Sequence, residues 1–356
     1  MEPIVLIRIL FFAVTLLSFV LCMIIMHLGN ALLFYVLVPS LFTFSMQWAE
    51  YLSSSLALLL AHLYCPQTVM KVSFADESTE RKFLEYQKDR SLGSLSSDVV
   101  ICNHQLYTDW IYIWALLTHL GKGGNVKITL KKSLQWIPIA GWGMKLIGFV
   151  FLSRKWSVDR STFLRRISRL VFFKPFSFLI FVEGTTLCES GLKKSKEFAE
   201  REKIVPSTDH VLIPRTLGMY TSVLAFKDTI EGIWDLTLCY SDMPSYTLCK
   251  KFPEQLYGLA SLFGERRAPK NVHFVLKFIQ IKDIKSLIDD EVKFESWLRK
   301  IYADKDLIMR NGYVYQKYPT AAITLPVIHS SDTRNVLVAF SIVIMLFVIL
   351  LKFIYP

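Results

Sequence analysis

The sequence predicts an α/β domain, with a sheet flanked by helices, set between membrane-embedded segments at both ends of the chain. From about residue 65 to 320, short runs rich in β-branched and aromatic residues alternate with stretches of helical periodicity. Residues 9–26 and 336–351, in contrast, contain no charged residue. Uncharged apolar runs of this length are typical of segments that enter a lipid bilayer.

Within the middle region, five apolar runs predict buried strands and two stretches predict helices. The predicted strands cover residues 98–102, 149–152, 178–182, 210–213 and 271–276, and the predicted helices cover 110–120 and 160–173. The serine-rich segment 91–97 predicts a loop. Ligands of open α/β sheets bind where the strands end, so polar residues that follow these strands are candidates for function.

The N-terminal region predicts a pair of short membrane helices. The run 9–26 follows Arg8, and a second apolar run, 31–46, contains Pro39. Each run is near the lower length limit for a spanning helix, so a hairpin that spans or re-enters the membrane fits better than one long span. A cleavable signal peptide is the alternative for the first run, but the sequence lacks a convincing small-x-small cleavage site.

The C-terminal run 336–351 predicts a transmembrane helix. Lys317 and Arg334 precede it and Lys352 alone follows it, a bias that favours a cytosolic middle domain. The predicted division is therefore membrane-embedded helices over 1–64, an α/β domain over 65–320, and a linker with the last helix over 321–356.

The composition agrees with a membrane setting. Hydrophobic residues make up 53% of the chain, and the net charge is +11. A basic balance fits nucleic acid, an anionic membrane or acidic ligands. We expect no nucleic-acid partner, because neither a zinc-finger spacing nor an RNA-binding signature is present. The six cysteines form no C-x-x-C pair, which argues against a disulfide framework and for a reducing compartment.

The sharpest local signal is the segment 103–110, NHQLYTDW, directly after the predicted strand 98–102. His104 stands where the strand ends, and Asp109 follows it after a tight turn. A carboxylate that returns to the imidazole fixes its tautomer and stabilises the imidazolium, so that the other ring nitrogen can accept a proton. Because H-x4-D spacing often arises by chance, the pair alone leaves open a purely structural histidine.

Three further segments follow predicted strands and carry polar groups toward the same expected edge. Arg154 follows the second strand, and Thr185 and Thr186 after the third are predicted to cap a helix whose backbone N–H groups face an anion. The full set of candidate residues in these segments is Arg154, Glu183, Gly184, Thr185, Thr186, Pro214 and Arg215.

These four blocks resemble, in order and approximate spacing, the motifs of glycerolipid acyltransferases of the lysophosphatidic acid acyltransferase type. That family's pattern is N-H-x4-D, F-[IL]-x-R, F-[PV]-E-G-T-R and a proline-centred block. The resemblance covers about residues 99–240, with weaker similarity to about 315. Segments 131–142 and 211–218 resemble the branch that contains the lysophosphatidic acid, lysocardiolipin and lysophosphatidylinositol acyltransferases of eukaryotes.

The resemblance implies an enzyme that moves a fatty acyl group from acyl-CoA to the free hydroxyl of a 1-acyl lysophospholipid. His104 would be the general base and Asp109 its orienting partner. The residues expected to hold or shape the site for the phosphate-bearing acceptor are Arg154, Glu183, Gly184, Thr185 and Pro214, and Arg215 is added here as an anionic contact. Acyl-CoA is expected as a co-substrate, with no metal or other cofactor.

One departure from the family pattern bears on the acceptor. The arginine that follows E-G-T in the family is Thr186 here. If that arginine normally meets the acceptor phosphate, this chain would prefer a phosphodiester such as lysophosphatidylinositol over lysophosphatidic acid.

Two other functions stay open at the level of sequence. A lipid hydrolase would need a nucleophile, for which Cys102 is conceivable, but no G-x-S-x-G elbow is present. A non-catalytic membrane lipid-binding protein would leave the His104–Asp109 pair without a role. We expect the endoplasmic reticulum membrane, with the mitochondrial outer membrane second, and we expect the aromatic stretch 136–151 to dip into the bilayer beside the acyl-chain entry.

Overall fold

The computed structural model describes residues 4–10, 13, 50–52, 54–55, 57–59, 61–62, 68–138, 140–172, 175–204, 208–241, 243, 245–249, 251–315, 317–329 and 332–335. The apolar runs 31–46 and 336–351 lie outside these residues, as does nearly all of 9–26. Within the described ranges, no helix has both the length and the apolar character needed to cross a membrane.

The described strands form one mixed sheet. They are β1 (Val69–Phe74), β2 (Asp98–Cys102), β3 (Val126–Lys131), β4 (Val150–Leu152), β5 (Ser177–Ile180), β6 (Gly232–Tyr240), β7 (Asn271–Gln280) and β8 (Ile323–Pro326). Their order is β4-β3-β5-β2-β6-β7-β1-β8. The first five strands in this order run parallel, so their carboxyl ends lie at one edge, whereas β7 is antiparallel to β6 and β8 is antiparallel to β1.

Helices connect and flank these strands. They are α1 (Glu77–Lys88), α2 (Arg90–Leu95), α3 (Asp109–His119), α4 (Ala140–Leu146), α5 (Trp156–Phe172), α6 (Glu189–Arg201), α7 (Thr216–Phe226), α8 (Tyr246–Cys249), α9 (Pro253–Leu256), α10 (Leu259–Phe263), α11 (Lys285–Ile288) and α12 (Glu291–Tyr313). Short 3₁₀ turns cover Gly123–Asn125, Lys132–Trp136 and Ile281–Ile284. The alternation of strands and helices confirms the predicted α/β class.

Most of the predicted elements are present. β2, β4, β5 and β7 correspond to four of the five predicted strands, and α3 and α5 correspond to the two predicted helices. All five residues of β2 are buried. A strand covered on both faces needs an uninterrupted apolar run, and this requirement is why the sequence identifies β2 so clearly.

Two local predictions are wrong, for identifiable reasons. Residues 210–213 are not a strand: the N–H of Leu212 donates to the carboxylate of Glu183, and that of Ile213 donates to the hydroxyl of Ser195. The apolar run is buried, and it pairs with none of the described strands. Residues 90–95 form α2 rather than a loop, because the side chain of Asp89 accepts the N–H of Ser91 and caps the helix.

The segments on either side of the predicted domain contact it. β8 follows residue 320, where a linker is predicted, and extends the sheet by pairing with β1. Lys127 in β3 forms an ion pair with Glu50, and the hydroxyl of Tyr51 donates to Asp332.

The long helix α12 supports the centre of the sheet. It packs against α7 and β6. The hydroxyl of Tyr302 donates to the carbonyl of Cys102 at 3.0 Å, and the ammonium of Lys305 donates to the carbonyl of Leu236 at 2.6 Å and pairs with Asp235. These contacts reach the last residue of β2 and the middle of β6.

Candidate active site

The site begins where β2 separates from β6. After Cys102, the side chain of Asn103 bridges the two strands. Its Nδ2 donates to the carbonyl of Leu238 at 2.9 Å, and its Oδ1 accepts the N–H of Leu238 at 2.8 Å. The side-chain amide thus replaces a backbone peptide group in the ladder. Because the pairing is completed by a side chain, the backbone is free to turn at the next residue.

His104 and Asp109 are in contact across that turn. The Nδ1 atom of His104 lies 2.9 Å from Oδ2 of Asp109. The spacing of five residues allows this contact because Asp109 is the first residue of α3, which starts immediately after the turn. The predicted return of the carboxylate to the imidazole is therefore present.

The carboxylate of Asp109 is fixed from several directions. It is fully buried, its Oδ2 accepts the N–H groups of Gln105 at 2.6 Å and Leu106 at 3.0 Å, and its Oδ1 accepts the hydroxyl of Tyr240. Burial, followed by the charge of Asp109, raises the pKa of Tyr240 well above its usual range, which keeps the phenol protonated as a donor. With its position set in this way, Asp109 orients the imidazole.

The imidazole ring of His104 is held flat against Phe181. The two rings are stacked with their centroids 4.0 Å apart and an angle of 18° between their planes. The side chain of His104 is 16% exposed, and its Nε2 makes no hydrogen bond to the described residues. One ring nitrogen is thus engaged by Asp109, while the other is left for a ligand.

Glu183 occupies a position different from the one that the resemblance implies. It is only 2% exposed, and its two oxygens accept the N–H of His104 at 3.0 Å and of Leu212 at 3.1 Å. Burial raises its pKa well above the usual range, opposing the effect of the two N–H donors. The carboxyl group therefore joins two loops behind the site, and the geometry does not support direct contact with an acceptor phosphate.

The turn after β5 brings Arg215 to the edge of the site. Gly184 has a φ of 74°, which favours glycine, and a Cβ there would lie 3.2 Å from Cδ of Arg215. The N–H of Arg215 donates to the carbonyl of Val182 at 2.7 Å, which ties the segment 213–215 to this turn. Pro214 beside it is buried and shapes the same wall.

Arg154 is presented by a loop that is tied to a helix. Its backbone has a φ of 66°, a left-handed conformation that is uncommon outside glycine. The carboxylate of Asp159 in α5 accepts the N–H and hydroxyl of Ser153, at 2.9 and 2.8 Å, and the N–H of Lys155 at 3.2 Å. Bonds on both sides of Arg154 hold the strained residue in place.

Arg154 and Arg215 together form what we call the anion site. Partial desolvation, then the like charge of Arg215, lower the pKa of Arg154. Both residues are exposed, and neither has a carboxylate partner among the described residues. Two neighbouring guanidinium groups without carboxylates suit a phosphate, which binds arginine through charge-assisted hydrogen bonds.

The two threonines of the third block do not cap the following helix, so that prediction is wrong. The N-cap of α6 is Cys188, whose sulfur accepts the N–H of Gly191 at 3.4 Å. Thr185 is partly exposed, with its methyl group near Gly191. Thr186 is buried, and its hydroxyl donates to Glu254 at 3.1 Å.

The thiol of Cys102 does not suit a nucleophilic role. It is fully buried, and burial raises its pKa well above the usual range, so the reactive thiolate is strongly disfavoured. Two other histidines are occupied within the fold: His119 lies 2.8 Å from the carbonyl of Pro326, and His210 lies 2.9 Å from the hydroxyl of Ser245.

Three supporting residues escaped the sequence analysis. An aspartate in the first turn of a helix, as Asp159 is, commonly binds the preceding loop, and this signal was available. Phe181 lies inside the third block, where it looks like an ordinary strand residue. Tyr240 lies 131 residues beyond Asp109, and nothing local indicates their contact.

The chain is similar to known acyltransferases. Residues 84–225 match the model of the family described as Acyltransferase. The 2-acyl-1-lysophosphatidylinositol acyltransferase of Saccharomyces cerevisiae is 32% identical over 291 residues, which cover 71% of this chain and 71% of that protein.

Two further relatives extend this result. An uncharacterized acyltransferase of Schizosaccharomyces pombe is 32% identical over 256 residues, or 70% of this chain and 69% of that protein. The 1-acyl-sn-glycerol-3-phosphate acyltransferase delta of Mus musculus is 31% identical over 222 residues, or 62% of this chain and 54% of that protein. The chain therefore belongs to the glycerolipid acyltransferase family and is an acyltransferase.

Proposed function

We propose that this enzyme transfers a fatty acyl group from acyl-CoA to the free hydroxyl of a 1-acyl lysophospholipid, in phospholipid synthesis or remodelling. The observation that carries the proposal is the 2.9 Å contact between His104 and the buried Asp109, which leaves Nε2 of His104 without a partner among the described residues. The names of the yeast and mouse relatives, which refer to lysophosphatidylinositol and 1-acyl-sn-glycerol-3-phosphate, support a lysophospholipid acceptor such as either of these.

In the proposed reaction, His104 is the general base. A thioester is already activated, so the enzyme has to deprotonate the acceptor hydroxyl beside it. The hydroxyl proton moves to Nε2 of His104 as the oxygen attacks the thioester carbonyl; the new C–O bond forms, the C–S bond breaks, and the proton passes to the departing CoA thiolate. Asp109 stabilises the imidazolium that exists between these steps.

The anion site is proposed to hold the phosphate of the acceptor. Arg154 and Arg215 supply the charge, and the turn at Gly184 with the wall at Pro214 sets the approach. A phosphate held by two guanidinium groups would fix the glycerol backbone relative to the base, which lowers the entropic part of the barrier. Thr185 lies at the same turn as a further contact.

The acyl chain and the acceptor tail require access from a membrane. An exposed apolar surface on the 3₁₀ turn before α4 and on α4 itself supports this placement: Trp136 is 74% exposed and Trp142 is 58% exposed, with Ile137 and Leu146 also exposed. Exposed tryptophans and aliphatic side chains near lysines are typical of surfaces that lie at the lipid interface. We propose the endoplasmic reticulum membrane with the domain facing the cytosol, and the mitochondrial outer membrane as the second choice.

Purified full-length protein assayed with acyl-CoA and a panel of lysophospholipids tests the proposal. His104→Ala is expected to lower acyl transfer by on the order of 10²–10⁴-fold, because it removes the general base. The matched control is His329→Gln, which removes an exposed histidine outside the site. A near-normal rate for His104→Ala would refute the assignment of the base.

The same assay separates the other two functions. Release of free fatty acid without any acceptor would instead indicate a lipid hydrolase. Binding of lipid with no transfer to any acceptor, unchanged in Asp109→Asn, would indicate a lipid-binding protein.

A further inference from the structure

A cluster of polar side chains adjoins the anion site and has no part in the mechanism above. This polar cluster consists of Tyr107, Thr186 and Glu254. Tyr107 lies in the turn between His104 and Asp109, and its side chain is exposed. The hydroxyl of Thr186 donates to Oε2 of Glu254 at 3.1 Å, so the carboxylate is directed toward the third sequence block.

Tyr107 joins the cluster to the anion site. Its hydroxyl faces the carboxylate of Glu254, and burial together with that carboxylate raises the pKa of the phenol. The same side chain lies near the guanidinium of Arg154. A ligand with its phosphate on the two arginines would therefore reach the polar cluster with the group attached to that phosphate.

Glu254 carries a charge that the described part of the chain does not neutralise. It is partly exposed in the first turn of α9, and none of the described lysines or arginines forms an ion pair with it. Its oxygens can accept more hydrogen bonds than those from Thr186 and Tyr107. The carboxylate is thus available to a ligand that brings hydroxyl or other donor groups.

The charge of Glu254 distinguishes between two kinds of phosphate. A phosphomonoester has a charge between −1 and −2 near neutral pH, because its second pKa is about 6, and its dianionic form brings no donor to a carboxylate. A phosphodiester has one negative charge, and a polyol attached to it brings several hydroxyl donors. Glu254 repels the first ligand more strongly and hydrogen-bonds the second.

We propose that the polar cluster is a specificity site for the hydroxyl-bearing head group of a phosphodiester acceptor, with Glu254 as the acceptor of the head-group hydroxyls. The inference rests on the proposed function and specifies the acceptor class for the same site. Thr186 contributes in two ways. Its hydroxyl orients the carboxylate of Glu254. It is also uncharged, whereas an arginine at this position would neutralise Glu254 and attract the phosphomonoester of an acceptor.

Three acceptors with the same acyl chain separate the effect of the phosphate charge from that of hydrogen bonds to the head group. They are lysophosphatidylinositol, a lysophospholipid methyl phosphodiester that has no head-group hydroxyl, and lysophosphatidic acid. With the full-length enzyme and one acyl-CoA, we expect kcat/KM to fall in that order, by roughly 10- to 100-fold from the first to the last, since each contact involves a charged group. A wild-type preference for lysophosphatidic acid would overturn the proposal without any variant.

Glu254→Gln tests the residue itself. The amide keeps the shape and an oxygen that accepts from Thr186, but it removes the charge. The ratio of kcat/KM for lysophosphatidylinositol to that for lysophosphatidic acid is expected to fall about tenfold, while the KM for acyl-CoA stays unchanged. Glu202→Gln, which changes an exposed glutamate paired with Arg201 in α6, is the matched control.

The outcomes of this test are distinct. An unchanged acceptor ratio in active Glu254→Gln, or a change confined to the KM for acyl-CoA, would disprove the specificity role and leave the proposed function standing. Absence of transfer to all three acceptors by the wild-type enzyme would refute the proposed function.

Discussion

The two ends of β2 differ in whether the charged and polar groups there have partners within the protein. At the amino end, Asp98 and the ammonium of Lys122 are both buried and lie 2.6 Å apart. Lys122 also donates to the carbonyl of Gly93 at 3.1 Å and to the hydroxyl of Ser96. At the carboxyl end, the Nε2 of His104 has no partner among the described residues, and the nearby arginines of the anion site have no carboxylate.

The difference separates the parts of the molecule that stabilise it from the parts that react. Removing one partner of a buried ion pair destabilises the fold by far more than the intact pair stabilises it. The pair at the amino end therefore holds the strand in one position. Charges without internal partners, in contrast, contribute nothing to the fold and are available to a ligand. Changes at one end should therefore alter stability, and changes at the other should alter kinetics.

The largest effect is expected from Lys122→Met. Asp98 would remain buried without its cation, which should lower the free energy of unfolding by about 3–5 kcal/mol. Urea denaturation of the detergent-solubilised protein measures this loss. Lys82→Met, which breaks the more exposed pair with Glu231, is the control and should cost less than about 1 kcal/mol. Equal stability of the two variants would contradict the proposed division between the ends.

A smaller effect, on kinetics alone, is expected from Arg215→Ala. Loss of one guanidinium from the anion site should lower kcat/KM for the acceptor roughly 10- to 100-fold, because charged hydrogen bonds to phosphate are lost. The urea midpoint should not move, since Arg215 forms no ion pair with the residues that the structure describes. Arg201→Ala on the exposed surface of α6 serves as the control. A shift in stability with normal kinetics would reverse the interpretation.

The smallest effect is expected from Asp159→Asn. The substitution keeps the size of the side chain but weakens the bonds to Ser153 and Lys155 that hold Arg154 in its left-handed conformation. A loss of about 1 kcal/mol in acceptor binding corresponds to about fivefold in KM. Steady-state kinetics on the acceptor measure it, with exposed Asp228→Asn for comparison. An unchanged KM would show that Arg154 keeps its position without Asp159.

The sequence predicts the centre of the site better than its surroundings. Contacts between nearby residues, such as His104 with Asp109, follow from a strand end and a short turn. The sequence does not indicate the position of Glu183, because its partners are backbone N–H groups, which no residue pattern records.

Prediction of the sheet from the sequence is limited in the same way. β2 and β5 are recognisable because burial on both faces requires apolar runs. β3 places Lys127, Thr129 and Lys131 between its apolar residues and so lacks a continuous apolar run. Residues 210–213 have the composition of a strand, but their N–H groups bond to side chains. Strand order depends on contacts between distant segments, and local patterns do not determine it.

The position of α12 has a consequence for truncation. The match to the family model ends at residue 225, yet Tyr302 binds the last carbonyl of β2 and Met309 lies 3.2 Å from the amide of Asn103. A fragment that ended at residue 225 would retain all four motifs. It would lose β6 and α12, the helix that contacts the turn after β2. The contacts that support the reactive turn therefore require the chain at least as far as Met309, and the motif-bearing segment alone lacks them.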